Sequence, residues 1–258
     1  MVKEKIKVGI IGGSGLDDPE FLEGGRKTDG ENKYGRPSSP VIEGRLNNTA
    51  VAVISRHGKG HLLSPTKVPY RANLWALKEA GCTHVLATTA CGSLKEEIKP
   101  GDMVFLDQFL DFTRHRALTF YDDQPRHTPM AEPFCPRLRQ LLAASAKELG
   151  CRFHPTGTVV TIEGPRFSTK AESEMFRLLG ADVINMTTMP EAILARELGL
   201  CYQSVALATD YDCWKTGEEP VSLEMVFKRM AENAGRVKEL LNRAVAKIDF
   251  TGCPVCAN

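Results

Sequence analysis

Apolar positions along this chain recur with two periods, and the two alternate. Residues 5–11 form a short apolar run that closes on Gly12-Gly13-Ser14-Gly15, the pattern of a buried strand entering a tight turn. Residues 23–40 are rich in Gly, Pro and charge and predict a loop. Residues 41–43 and 50–54 read as a hairpin turning near Asn47-Asn48. Over 70–80, Leu74, Leu77 and Ala80 share one helical face, with Gly81 placed to end the helix. Strands are expected at 85–88, 103–107, 158–162, 183–185 and 202–208, and helices at 136–149, 169–179 and 190–198. Thr169 and Glu172 have the spacing of a capping box. Residues 111–133 follow neither period and predict a long polar loop carrying Arg114, His115, Arg116 and His127. Loops of that length are uncommon and usually functional or disordered. The last helix, about 222–248, sets Leu223, Val226, Phe227, Met230, Val237 and Leu241 at three-four spacing and leaves a short tail, 249–258.

Strands alternating with helices predict an α/β fold. No internal repeat or linker divides the 258 residues, so one domain, 1–258, is expected. A single domain of this size buries roughly 70–75% of its unfolded surface and needs no staples. Lys and Arg total 33 against 32 Asp and Glu. That balance argues against nucleic acid as a partner while leaving room for a local anion pocket. No apolar run reaches membrane-span length and the first residues lack a signal-peptide core, so no membrane association and a cytoplasmic location are expected. Six of the eight cysteines stand singly and read as reduced, buried thiols. Cys253 and Cys256 form the one CxxC pair. Zinc would require two more ligands and there is no second CxxC, so a structural bridge is favoured over a metal or redox role.

Chemistry-bearing residues cluster where strands end. Gly12-Gly13-Ser14-Gly15 fits neither a dinucleotide fingerprint, which needs a glycine at Asp18, nor a Walker loop. It suits a single phosphate or carboxylate, or is a plain turn. Arg56 and His57 follow the strand ending at 54 and offer a guanidinium fork with an imidazole, the chemistry of phosphate oxygens, though a solvated basic loop reads the same way. Thr88 to Ser93 and Asn185 to Glu191 add hydroxyls at two more strand ends. Asp210-Tyr211-Asp212 after residue 208 could hold a metal, cap a helix or meet a base edge. Each cluster is weak alone. Together they matter, because a doubly wound sheet gathers its strand ends along one edge.

Five runs, VGIIGGSGLDD (8–18), TTACGS (88–93), MAEPFCP (130–136), TIEGPRF (161–167) and TDYDCW (209–214), resemble the trimeric purine nucleoside phosphorylase family, in its methylthioadenosine-cleaving branch. The resemblance spans residues 8 to about 241. It implies a central mixed, largely parallel sheet flanked by helices. It also implies reversible phosphorolysis of S-methyl-5′-thioadenosine to adenine and 5-methylthioribose 1-phosphate. Phosphate is then a co-substrate, with no cofactor and no metal. By the same resemblance Ser14, Arg56, His57, Thr89, Ala90 and Thr187 would hold phosphate, and Met186 the ribose. Phe167 and Ser168 would meet the base, Ser168 at the purine edge. Asp210 and Asp212 would face the purine N7 and 6-amino group as the catalytic pair. Leu223, Val226 and Phe227 would line the 5′ pocket, with Leu223 contributing to specificity. His127 would reach a neighbour's site in a homotrimer, or a hexamer built as a dimer of trimers. Rival readings are a phosphorylase for adenosine, inosine, guanosine or methylthioinosine, a hydrolase using water, and a nucleoside-binding module without turnover. The absent GxGxxG disfavours a nicotinamide oxidoreductase.

Overall fold

The computed structural model describes residues 6–12 and 22–256. Ser14 therefore lies outside the described residues. Eleven described strands form one sheet, ordered β2-β3-β4-β1-β5-β10-β9-β7, with β11 joining β5 to β6, and β6 carrying β8. In chain order they are β1 (Lys7–Gly12), β2 (Glu23–Thr28), β3 (Val41–Leu46), β4 (Thr49–Ser55), β5 (His84–Ser93), β6 (Met103–Phe105), β7 (Gln108–Phe112), β8 (Phe153–His154), β9 (Thr158–Ile162), β10 (Val183–Asn185) and β11 (Cys201–Asp210). Six ladders are parallel and four antiparallel, the mixed, largely parallel sheet that was expected.

The central strands are buried on both faces, and alternation decides which core each side chain enters. Val8, Ile10, Val51, Val53, Leu86, Val205 and Leu207 point to one side. There they meet Leu138 and Leu142 of α2 (Pro136–Glu148) and Val237, Leu240 and Leu241 of α5 (Leu223–Lys247). Ile11, Ile54, Val85, Ala87, Ala206 and Ala208 point to the other. They pack on Leu74 and Leu77 of α1 (Tyr70–Glu79) and Ala192, Leu194 and Ala195 of α4 (Thr188–Glu197). The helix α3 (Lys170–Leu178) covers a third, smaller cluster through Phe176.

Local signals explain the ends. Asn47 and Asn48 both take positive φ, 47° and 62°, which closes the two-residue hairpin between β3 and β4. Thr169 and Glu172 form the full capping box of α3. Met189 interrupts α4 with extended backbone, so regular helix begins at Pro190 as its pattern implies.

Three expectations need correction. Residues 23–28 are a strand, not loop, paired antiparallel with β3. Every residue of β2 is exposed, so no hydrophobic period marks it; its backbone pairing alone holds it. The interval expected as loop from 111 loses its start to β7, which extends a parallel ladder with β9. Finally, β5 runs on to Ser93 through polar Thr88, Thr89 and Ser93, because β11 and β10 both pair there and bury it. Among the described residues no helix is long and apolar enough to cross a membrane.

Candidate active site

The parallel core strands β1, β4, β5 and β11 finish at the same edge of the sheet, and β10 finishes beside them. Their ends surround a cavity of about 400 Å3. Arg56, His57, Thr89, Ala90, Phe167, Ser168, Met186, Thr187, Asp210, Asp212, Leu223 and Val226 all line it. Two expected residues do not. Phe227 is not among the lining residues; its ring stands near-perpendicular to that of His61, centroids 5.0 Å apart, and His61 itself lines the cavity. His127 is exposed on the 113–135 segment and is not among the lining residues.

Arg56 sets the anion end. It is 1% exposed, and its N–H donates to Gly12 O at 2.9 Å, so β4 and β1 end side by side. The guanidinium donates to both carboxylate oxygens of Glu191 (Nε 2.5 Å, Nη2 3.0 Å) and to Thr88 O (2.7 Å). Burial works against its charge, but Glu191 outweighs that and holds it well above its ordinary value. Three of its five N–H groups are thus engaged, leaving two for an anion. Tyr202 donates its hydroxyl to the same Glu191 carboxylate at 3.0 Å, fixing the pair from below.

His57 is defined by its partner. Its Nδ1 lies 2.7 Å from Leu63 O, and since a carbonyl only accepts, Nδ1 carries the proton. Burial, then the Arg56 charge, lowers its pKa to about 3. His57 is therefore neutral here, with Nε2 as an acceptor, so this imidazole brings no positive charge to the anion end. Beyond it, Thr89 Oγ1 and Thr187 Oγ1 stand 3.1 Å apart. Asn185 organises this corner, donating to Thr89 (3.2 Å) and Thr188 (2.5 Å) while accepting from Thr161 (2.9 Å).

The acidic pair lines the same cavity. Asp210 Oδ2 accepts from Thr209 Oγ1 at 2.6 Å and Oδ1 from the Asp212 N–H at 2.8 Å. Burial raises the Asp210 carboxyl, those two donors oppose the shift, and the Asp212 charge adds to it. Asp212 is raised by burial as well, against the pull of Ser173, the Cys213 N–H and Ser168. Asp212 holds φ at 50°, a left-handed conformation uncommon outside Gly and Asn. Both side chains pack on Gly92 of β5, where a Cβ would meet Asp210 Oδ1 at 3.0 Å and Asp212 Cβ at 3.2 Å. The third wall, Leu223, Val226 and Val221, is apolar.

Residues 7–246 match the Phosphorylase superfamily. The chain belongs to that family. It is 56% identical to the S-methyl-5′-thioadenosine phosphorylase of Xenopus tropicalis over 94% of this chain and 89% of the relative, and 51% identical to that of Drosophila melanogaster over 94% and 86%. Among solved structures, the methylthioadenosine phosphorylase of Schistosoma mansoni in complex with adenine superposes with a TM-score of 0.90 at 46% identity, covering 93% of this chain and 91% of that one. A variant of the Schistosoma enzyme in complex with methylthioadenosine gives 0.87 at 45% identity over 93% and 91%.

Within this phosphorylase fold, two functional side chains escaped the sequence argument. Glu191 is 1% exposed and neutralises Arg56 from across the sheet; an acidic residue in the first turn of an apolar helix was the signal. Arg116 is the other. Its guanidinium donates to Met186 O (2.8 Å), Met189 O (2.6 Å) and Glu163 O (2.7 Å), holding the β10–α4 turn against the 113–135 segment. Glu163 accepts from the Arg114 and His115 N–H groups in return. Burial works against that carboxylate, yet these donors and Arg116 hold it down at about 2. The long segment is clamped at its start instead of lying loose.

Proposed function

We propose that this chain catalyses the reversible phosphorolysis of S-methyl-5′-thioadenosine, giving adenine and 5-methylthioribose 1-phosphate. One observation carries the reading: Arg56 with its hydroxyl neighbours and the Asp210–Asp212 pair line one and the same cavity, together with apolar Val221, Leu223 and Val226. Its volume, about 400 Å3, suits a nucleoside with phosphate.

The chemistry follows from polarity. Cleaving the glycosidic bond leaves negative charge on adenine and positive charge on the sugar carbon, as in glycoside cleavage generally. In this reading Asp210, raised by burial, delivers or shares a proton at the purine N7 and accepts from the 6-amino group, held in place by Asp212. The pair titrates jointly. Phosphate, held by Arg56, Thr89, Ala90 and Thr187, stabilises the cationic sugar and bonds to its C1, so proximity supplies much of the rate. His57 Nε2, an acceptor, selects a phosphate that still carries a proton. Met186 lies under the ribose and Phe167 beside the base, with Ser168 at the purine edge. Leu223 and Val226 enclose the methylthio group.

Leu62, Phe167 and Leu223 line the cavity yet are 85%, 39% and 55% exposed, which supports a mouth completed by a neighbouring subunit in a homotrimer. The deciding experiment is adenine release from methylthioadenosine with and without phosphate. Release only with phosphate is expected; equal release in its absence would identify a hydrolase. A panel of adenosine, inosine and methylthioinosine bounds the substrate range, and light scattering reads the oligomer.

A further inference from the structure

Far from the cavity, the tail after α5 folds back into the core formed by α2, α5 and the sheet. Phe250, Cys253 and Cys256 are buried there at 6%, 4% and 2% exposure. They meet Cys135, the N-cap of α2, and Cys201, the first residue of β11, which are 0% and 1% exposed. One sulfur from each of the four residues lies within 4.8 Å of all the others. We propose that Cys135, Cys201, Cys253 and Cys256 form a four-thiolate zinc site that fastens the C-terminal tail to the body of the fold.

Geometry supports a metal over a bridge. Four ligands at a Zn–S distance of about 2.3 Å stand about 3.8 Å from one another at the corners of a tetrahedron. Cys135 Sγ and Cys253 Sγ are 3.7 Å apart, and Cys253 Sγ and Cys256 Sγ 3.1 Å. A Cys253–Cys256 disulfide would use two of these sulfurs and leave two buried thiols without a role. All eight cysteines of the chain are free thiols. The local backbone is built for two ligands from one turn: Cys256 N–H donates to Cys253 O at 3.0 Å across Pro254-Val255. The other two ligands are fixed by regular structure, with the Cys135 N–H donating to Tyr202 O at 2.8 Å. No His, Asp or Glu joins the group, so the donor set is purely soft and closed, the composition of a structural zinc site.

A divalent ion allows four buried thiols to ionise together, and its binding releases their protons. The two ligands that the single CxxC lacks come not from a second CxxC but from single cysteines more than fifty residues upstream.

The test uses the full chain, purified and incubated with zinc under reductant, then freed of loose metal. Elemental analysis should find about one zinc per chain, and cobalt substitution should give the intense sulfur-to-metal charge-transfer and d–d bands of tetrahedral thiolate. Cys201→Ser and Cys256→Ser should each lower bound zinc at least about tenfold, since a lost thiolate opens the site, while Cys82→Ala, in the other core, should retain it. Chelator with reductant should lower the melting temperature, and zinc but not magnesium should restore it. The proposal falls if the reduced wild-type chain takes up neither zinc nor cobalt, if iron occupies the site instead, or if metal-free protein carries a Cys253–Cys256 disulfide. If the serine variants fail to fold, wild-type stoichiometry and the cobalt spectrum still decide.

Discussion

Replacing Asp210 with Asn isolates proton supply from shape. The two side chains are isosteric, and the surroundings accept the amide. Oδ1 must keep the Asp212 N–H, now at 2.8 Å, because an NH2 there would set donor against donor. The amide nitrogen then faces Thr209 Oγ1, 2.6 Å from Oδ2 in the native site. That hydroxyl also lies 3.2 Å from Cys91 O, so it can turn its proton there and accept from the amide. Every hydrogen bond survives with its polarity reversed at one partner, and a buried carboxyl raised by desolvation is removed. Folding stability should therefore change by less than about 1 kcal/mol. Catalysis should not survive so well. General acid assistance is worth about 100- to 10,000-fold, or roughly 3–5 kcal/mol at 1.36 kcal/mol per decade. Adenine release from methylthioadenosine should drop by that range, in kcat more than in KM. The amide can also donate to a 6-oxo purine, so inosine should gain relative to adenosine. Steady-state assays of adenine and hypoxanthine release, with melting curves beside them, read all three effects. An Asn variant with near-native kcat and unchanged base preference would refute the placement of Asp210 at the base.

Four further outcomes are expected. Gly92→Ala forces a Cβ to within 3.0–3.2 Å of Asp210, Ile184 and Asp212, so kcat should fall about a hundredfold, the cost of a misplacement near 1 Å, with a smaller loss of melting temperature. Glu191→Ala strands the buried Arg56 guanidinium and should cost about 3–5 kcal/mol of stability by denaturant titration, whereas an exposed pair such as Arg229–Glu232 should cost almost nothing. His57 has a folded pKa lowered from 6.5 to about 3, so the unfolded chain binds its proton first; the resulting stability is present above pH 6.5 and lost as pH falls towards 3, and His57→Gln should flatten that acid limb in melting curves. Asp210 is raised, so the opposite sign holds: its protonated form favours the fold, and both that stability and the acid-dependent step should decline as pH climbs through the raised pKa, a limb of the kcat/KM profile that Asp210→Asn should abolish.

Much of the scaffold was legible because a single side-chain property decided each element. Val8, Ile10 and Ile11 declare β1 since only a strand buried on both faces tolerates such a run. Thr169 and Glu172 declare the start of α3 since each satisfies the other's free N–H. Hidden elements lack such a side chain. In β2, Glu23 to Thr28 is exposed throughout and owes its form to pairing with β3. In β5, Thr88 and Thr89 look like turn residues, yet they are 1% and 3% exposed and continue the strand because β11 pairs beside them, at Val205 and Ala206. Period reports burial on one chosen face; it says nothing where a partner strand supplies the reason.

The site divides along the same line. Arg56, Thr187 and Asp210, at or just past strand ends, could be grouped in advance because topology alone brings strand ends to one edge, and Thr89 joined them although its strand runs on to Ser93. What topology cannot convey is which charge answers which. Glu191 stands 135 positions from Arg56, near the start of a helix that runs on through apolar Ala192, Ile193 and Leu194, and it reads as an ordinary helix-start carboxylate although folding buries it. Yet it governs how much of the guanidinium remains for an anion. Which nitrogen of His57 carries its proton depends likewise on Leu63 O, a backbone atom with no sequence signature, and its loss of charge on burial and on Arg56. Both cases concern a polar atom that must be satisfied once water is gone. The groups that touch substrate were therefore easier to find than the groups that decide their charge, and substitutions at Glu191, Arg116 or Asn185 should alter the site as deeply as substitutions inside the cavity.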